Sequence, residues 1–296
     1  MNPGTPDALS GERFGFDSRA GRLNVYVAGR GAPLLLVHSI NAAASAAEVR
    51  PLFEYLQARY TVFALDLPGF GGSDRSDRRY TPRLMTDAIH AVTSHMAERC
   101  GSGPIHACAL SLSAEFLARA AAESPATYRT LALVSPTGFS GTREWRGAPE
   151  STRAMPWLYA LLRGPGWGGA LYRGLTRPAV IRYFLRRTWG AQNIDESLWA
   201  FDVQCARQPG AWHAPLYFLS GALFSADIHA VYDRLELPVW LTHGVRGDFT
   251  DYRGTARLAG RANWRVQVFQ SGALPHFEYP TEFCRDYEAF LQGVPG

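Results

Sequence analysis

The stretch HACALSLSAEF, residues 106–116, passes from an apolar run into a helix-like segment with almost no loop between them. A serine on so sharp a strand-to-helix turn is held at unusual φ/ψ, and it needs small residues two places before and two places after it. Around Ser111 those places are filled by Ala109 and Ser113, with Ala114 next. Choosing Ser113 instead would put Glu115 where a small residue is required. Ser111 is therefore the candidate nucleophile, and covalent catalysis the candidate chemistry. The plainer alternative is that Ser111 only caps a helix, a role serine favours. Two later stretches carry groups that such a serine would draw on. HGVRGDFTDY (243–252) offers Asp248 and Asp251. SGALPHFEYP (271–280) offers His276, either a catalytic base or a histidine in the first turn of a helix.

The surrounding elements read as an alternation. RLNVYVAG (22–29), PLLLVHS (33–39), YTVFALDLPG (60–69), PIHACAL (104–110) and TLALVSP (130–136) have the β-branched and aliphatic character of strands. AEVRPLFEYLQARY (47–60), TPRLMTDAIHAVTSHMAERC (81–100, with Thr81 as N-cap) and SLSAEFLARAAAES (111–124) read as helices between them. Strands that are apolar throughout and alternate with helices predict an α/β fold, a mostly parallel sheet covered on both faces. The alternation stops at Thr137 and resumes with LPVWLTHG (237–244), WRVQVFQ (264–270) and a closing helix, TEFCRDYEAFLQ (281–292). Residues 1–136 and 237–296 are thus expected to form one core domain, and residues 137–236 a helical cap inserted between two late strands.

Three stretches in this order resemble the α/β-hydrolase fold superfamily over nearly the whole chain. Ala109-Leu110-Ser111-Leu112-Ser113 is similar to its nucleophile elbow, with other small residues in place of both customary glycines. VHSIN (37–41) stands where members have His-Gly after the third strand, and DLPGFGGSD (66–74) resembles the Asp-x-Pro-Gly-x-Gly-x-Ser stretch after the fourth. The resemblance implies a cofactor-independent hydrolase cleaving an ester, a lactone or a related carbonyl bond. It implies that the amides of Ile40 and Leu112 form an oxyanion hole. His38 would be structural, and Asp66, Gly69, Gly71 and Ser73 would serve the turn. After the strand LPVWLTHG members usually place an acid three residues beyond the glycine; here that place is Gly247, with Asp248 one residue later and Asp251 as fallback. Members ending Gly-His-x-x-His-x-Glu-x-Pro use the first histidine as base. Counting back from Pro280, that place is Ala273, and His276 falls on the second. Three readings stay open: a reshaped loop brings His276 in, His213 substitutes, or there is no triad. In the last case the fold serves another reaction, such as that of a lyase or cyclase, or only binds a ligand.

The inserted stretch is rich in Trp, Tyr, Phe and Leu, as in MPWLYALL (155–162), GWGGALYRGL (166–175), VIRYFLRRTWG (180–190) and APLYFLSGALF (214–224). Beside a nucleophile this predicts an apolar pocket for a small hydrophobic substrate, with Trp212, His213 and Tyr217 as its contacts. Arg182, Arg186 and Arg187 read as a solvated helix face. The composition, 47% hydrophobic and 19% charged, suits one large globular unit. The net charge of +4 comes from thirty arginines spread along the chain, a pattern that argues against nucleic acid as partner. Cys100, Cys108, Cys205 and Cys284 lack metal-ligand spacing and read as reduced thiols. No metal is expected. With neither an apolar run of membrane-spanning length nor a leader pattern, the expected location is the cytoplasm, and no membrane span is expected.

Overall fold

The computed structural model describes residues 7–164 and 167–294, so Gly166, the first residue of the GWGGALYRGL stretch, lies outside the described residues. The strands are β1 (Glu12–Ser18), β2 (Gly21–Ala28), β3 (Ala32–Val37), β4 (Tyr60–Asp66), β5 (Ile105–Leu110), β6 (Tyr128–Val134), β7 (Val239–His243) and β8 (Trp264–Val268). They form one sheet in the order β1-β2-β4-β3-β5-β6-β7-β8. The β1–β2 and β2–β4 pairs are antiparallel and the other five are parallel.

The central strands are mostly apolar because both faces are covered. Leu35, Val37, Phe63, Leu65, Ala107 and Ala109 enter one core. It is closed by α2 (Pro82–Cys100), α3 (Ser113–Glu123) and α9 (Ile228–Asp233). Their alternate neighbours Leu34, Leu36, Val62, Ala64, Cys108 and Leu110 enter the other. That core is closed by α1 (Arg50–Leu56) and α11 (Pro280–Gln292). Side chains alternating across a pleated strand make both cores from the same short runs.

Thr81 caps α2 as expected, its Oγ1 accepting from Leu84 N–H at 3.1 Å. The expected helix 47–60 is shorter than its periodicity suggested. A 3-10 turn at Ala46–Val49 precedes α1, and Pro51 stands at the start of the true helix. Strand β1 was not foreseen. It is a one-sided edge strand whose Phe14 and Phe16 stack against His95 instead of forming a continuous apolar run. The insertion between β6 and β7 carries α4 (Pro156–Leu162), α5 (Gly168–Leu175), α6 (Pro178–Trp189), α7 (Glu196–Ala206) and α8 (His213–Leu219), followed by α9. Its base is fastened to α3 by buried charge: Arg119 makes a two-pronged ion pair with Asp227 at 3.1 and 2.6 Å. One turn earlier, the buried Glu115 accepts from Thr137 Oγ1 at 2.5 Å and Ser225 N–H at 2.8 Å. Burial raises the Glu115 pKa above the ordinary carboxylate value. The polar face of α3 is therefore turned to the insertion and away from water. A short helix, α10 (Pro275–Glu278), precedes α11.

Candidate active site

Strand β5 ends at Leu110 and α3 begins at Ser113, so Ser111 bridges the two with φ of 51°. That conformation costs a non-glycine residue on the order of 1 kcal/mol or more, and packing must impose it. Three bonds do so: Ser111 N–H donates to Val134 O at 2.8 Å, and Ser111 O accepts from Ala114 N–H at 3.2 Å and from Thr137 N–H at 3.4 Å. Ala109 and Ser113 are fully buried on either side, which is why both must be small. Ser111 is partly exposed, and its Oγ bonds to no other described residue.

Two amides near this turn are also free. Among the described residues, neither Ile40 N–H nor Leu112 N–H donates a hydrogen bond within the chain, although both residues are buried. Buried backbone donors are rarely left without an acceptor. The loop carrying Ile40 is fixed by its neighbours. His38 donates from Nδ1 to Ser39 O at 2.6 Å and accepts at Nε2 from Leu67 N–H at 3.0 Å, so both nitrogens are engaged. The buried Glu48 carboxylate accepts from Ser39 N–H at 2.7 Å and Asn41 Nδ2 at 2.5 Å. Asp66 ties the next turn down, accepting from Ala46 N–H, Asn24 Nδ2 and Gly72 N–H at 2.7–2.8 Å. Gly71, at φ of 48°, lies against that carboxylate so closely that any Cβ would collide with it.

The structure does not join Ser111, His276 and Asp248. His276 is fully buried beside Phe277 and Phe283, and its Nε2 donates to the Glu48 backbone carbonyl at 2.8 Å. A carbonyl only accepts, so the proton sits on Nε2, and the buried Nδ1 has no partner. Burial depresses the His276 pKa to about 4, against a smaller opposing effect of the Glu48 carbonyl. Asp248, expected to orient the base, grips Arg187 of α6 at 2.5 and 2.7 Å on the surface. The fallback Asp251 is paired with Arg253 and accepts from Gly141 N–H. His213 has Asp77 as its ionic neighbour, at 3.6 Å, and no bond to Ser111. His276, Asp248 and His213 each have a partner far along the chain that local spacing does not reveal, whereas Asp251 is held by its near neighbour Arg253.

Ala273, the place the resemblance implied for a base, is held by its backbone. Its carbonyl accepts from Ser135 Oγ at 2.7 Å, and its N–H donates to Thr188 O at 2.9 Å. Ser135, at the end of β6, has φ of 48° and is the other strained serine at this end of the sheet. Sequence reasoning passed over it, and only its place between a strand and Pro136 hinted at a special backbone. Of the expected substrate contacts, Tyr217 packs on Tyr159 with ring centroids 4.3 Å apart and Trp212 lies tilted against His213 at 4.4 Å. Trp212 also lines a cleft of about 470 Å³ on the insertion, which does not include Ser111.

The profile of the alpha/beta hydrolase family matches residues 34–286, from β3 into α11. The chain belongs to the alpha/beta hydrolase family. Solved structures of the same fold include a serine hydrolase involved in carbazole degradation, CarC, at 14% identity with a TM-score of 0.73, covering 96% of this chain and 99% of that one. Carboxylesterase CesB from Bacillus subtilis aligns at 16% identity and TM-score 0.72, covering 96% and 92%. Epoxide hydrolase CorEH aligns at 18% and 0.73, covering 96% and 99%. No curated protein matches the chain. At these identities the neighbours of this hydrolase-family chain speak for its fold, and its own residues must speak for its chemistry.

Proposed function

We propose that this chain is a hydrolase of activated carbonyl compounds, such as a strained lactone or an ester with a good leaving group, and that it works through Ser111 and an oxyanion hole without a histidine base. The observation that carries this reading is the conjunction of a strained, partly exposed Ser111 with two buried, unpaired amides, Ile40 and Leu112. Ser111 Oγ gives up its proton to a hydroxide from solvent as it attacks the carbonyl carbon, the carbonyl π electrons move to oxygen, and the two N–H groups stabilise the resulting oxyanion. On collapse the leaving group departs with the bonding pair and takes up a proton from water. A second water then repeats the attack on the acyl-Ser111 ester, releasing the acid. Such donors act where charge develops and do not need to reorganise.

The base is the missing part. An imidazole depressed to about 4 is a weak general base at neutral pH, and His276 is already committed to Glu48. Serine hydrolases stripped of triad members keep a rate roughly 10³–10⁴ above the uncatalysed reaction, owing to the oxyanion hole and substrate binding. That is the rate expected here. A small apolar substrate remains our reading from the aromatic insertion, with Trp212, His213 and Tyr217 as its contacts. A second reading, a non-hydrolytic enzyme or ligand-binding relative, is favoured by Ala273 at the base position. The test is turnover of p-nitrophenyl acetate. The first reading predicts that Ser111→Ala abolishes turnover while His276→Gln leaves it within about threefold. Turnover unchanged by Ser111→Ala would favour the second.

A further inference from the structure

We infer that the cleft between the α5–α6 turn and the α7–α8 loop of the insertion is a binding site for a small phosphate-bearing molecule. One wall runs from Gly169 to Pro178 and the other from Ala206 to Trp212, and together they bound a cleft of about 470 Å³. That volume is within the usual range of small-molecule sites. Both walls are fastened to the core. Tyr172, buried in the first, donates its hydroxyl to Ala42 O at 2.8 Å. At the foot of the second, Arg75 Nη1 donates to Cys205 O at 2.9 Å. Gly210, at φ of 73°, lies so close to Arg75 O that a Cβ would collide with it. The cleft thus keeps its shape through the chain's own contacts, which lowers the ordering cost of binding.

Charge selects the ligand. Arg173, Arg177 and Arg207 line the cleft, and no acidic residue takes part. Among the described residues, none of these three side chains has an ion pair, a hydrogen bond or a ring contact. Other arginines of the insertion are matched. Arg153, Arg163, Arg182 and Arg187 each reach a carboxylate, and Arg186 bonds to Gln192 O. Unneutralised charges of one sign around a concave wall focus their field on an ion of the other sign. A carboxylate brings a single charge and two oxygens, which one guanidinium fork saturates. A phosphate monoester brings about two negative charges at neutral pH and three terminal oxygens, enough to engage all three forks. Tyr172, Pro178 and Pro209 give apolar surface for an organic part. The cleft does not include Ser111, and the inference does not rest on the serine site.

The test is calorimetric titration of the full chain with phenyl phosphate, inorganic phosphate and phenylacetate. Saturable binding of phenyl phosphate is expected, with phenylacetate weaker by about tenfold or more. Phenyl phosphate binding tighter than inorganic phosphate marks an organic phosphate as the occupant; equal affinity marks free phosphate, and either result supports the site. Arg177→Gln should weaken phenyl phosphate binding about tenfold, and Arg173→Gln with Arg177→Gln and Arg207→Gln on the order of a hundredfold. The three side chains are exposed, so the melting temperature should hold. Arg186→Gln removes an equal charge outside the cleft and should leave the affinity unchanged. Absence of saturable phenyl phosphate binding, or equal affinity for phenylacetate, would overturn the inference. So would a loss in Arg186→Gln as large as that in Arg177→Gln.

Discussion

The burial of His276 makes a prediction about stability that needs no substrate. In the unfolded chain its imidazole takes up a proton near the ordinary value of 6.5; in the folded chain burial delays this to about 4. Between those values the unfolded state binds more protons than the folded one, so His276 withdraws stability as pH falls from 6.5 towards 4 and withdraws almost none above 6.5. Integrated from about pH 7.5 to about pH 5, the loss is about 2 kcal/mol. His276→Gln retains an N–H donor for the Glu48 carbonyl and does not titrate. Imperfect packing should make it less stable than wild type at neutral pH, by about 1–3 kcal/mol. Urea unfolding followed by tryptophan emission gives the gap between the two proteins at each pH. The gap should shrink, or reverse, by about 2 kcal/mol on going to the lower pH. His106, also depressed to about 4 by burial, is common to both proteins and cancels. A gap that does not change with pH would mean that His276 titrates as an accessible imidazole, and the argument from burial would fail.

Other perturbations separate structural from chemical roles. Ser111→Gly relieves the positive φ and should raise stability by about 1 kcal/mol in thermal melts. Arg119→Met leaves Asp227 buried without its cation and should cost about 3–5 kcal/mol; adding Asp227→Leu should recover much of it in a double-mutant cycle. Asp202, buried on α7 with an unpartnered Oδ1, has its pKa pushed well above the ordinary value by burial and by nearby Glu48. A raised carboxylate pKa means that stability is lost as pH climbs past the unfolded value, so Asp202→Asn should be the more stable form at neutral pH and the advantage should vanish near pH 4.

The sheet was legible because its strands are short apolar runs separated by helices, a signal carried within each segment. The tight turn at Ser111 was legible for a similar reason, since the smallness of Ala109 and Ser113 is a local demand of the backbone there. The resting places of Asp248 and His276 were not. His276 is held by Glu48, 228 residues away, Asp248 by Arg187 and Ala273 by Ser135, 138 residues away. Motif spacing puts His276 and Asp248 near the site, and only tertiary packing decides which way they face. Glu115 shows the same limit: its buried role depends on Ser225, 110 residues on, in the insertion.

The most direct test of a baseless Ser111 is the pH dependence of its labelling by a fluorophosphonate. With hydroxide as the only proton acceptor, the labelling rate should rise about tenfold per pH unit from about pH 6 upward, without a plateau, and should be the same in His276→Gln. Labelling should vanish in Ser111→Ala. A rate that levels off near neutral pH, and collapses in His276→Gln, would show a working imidazole base and contradict the account.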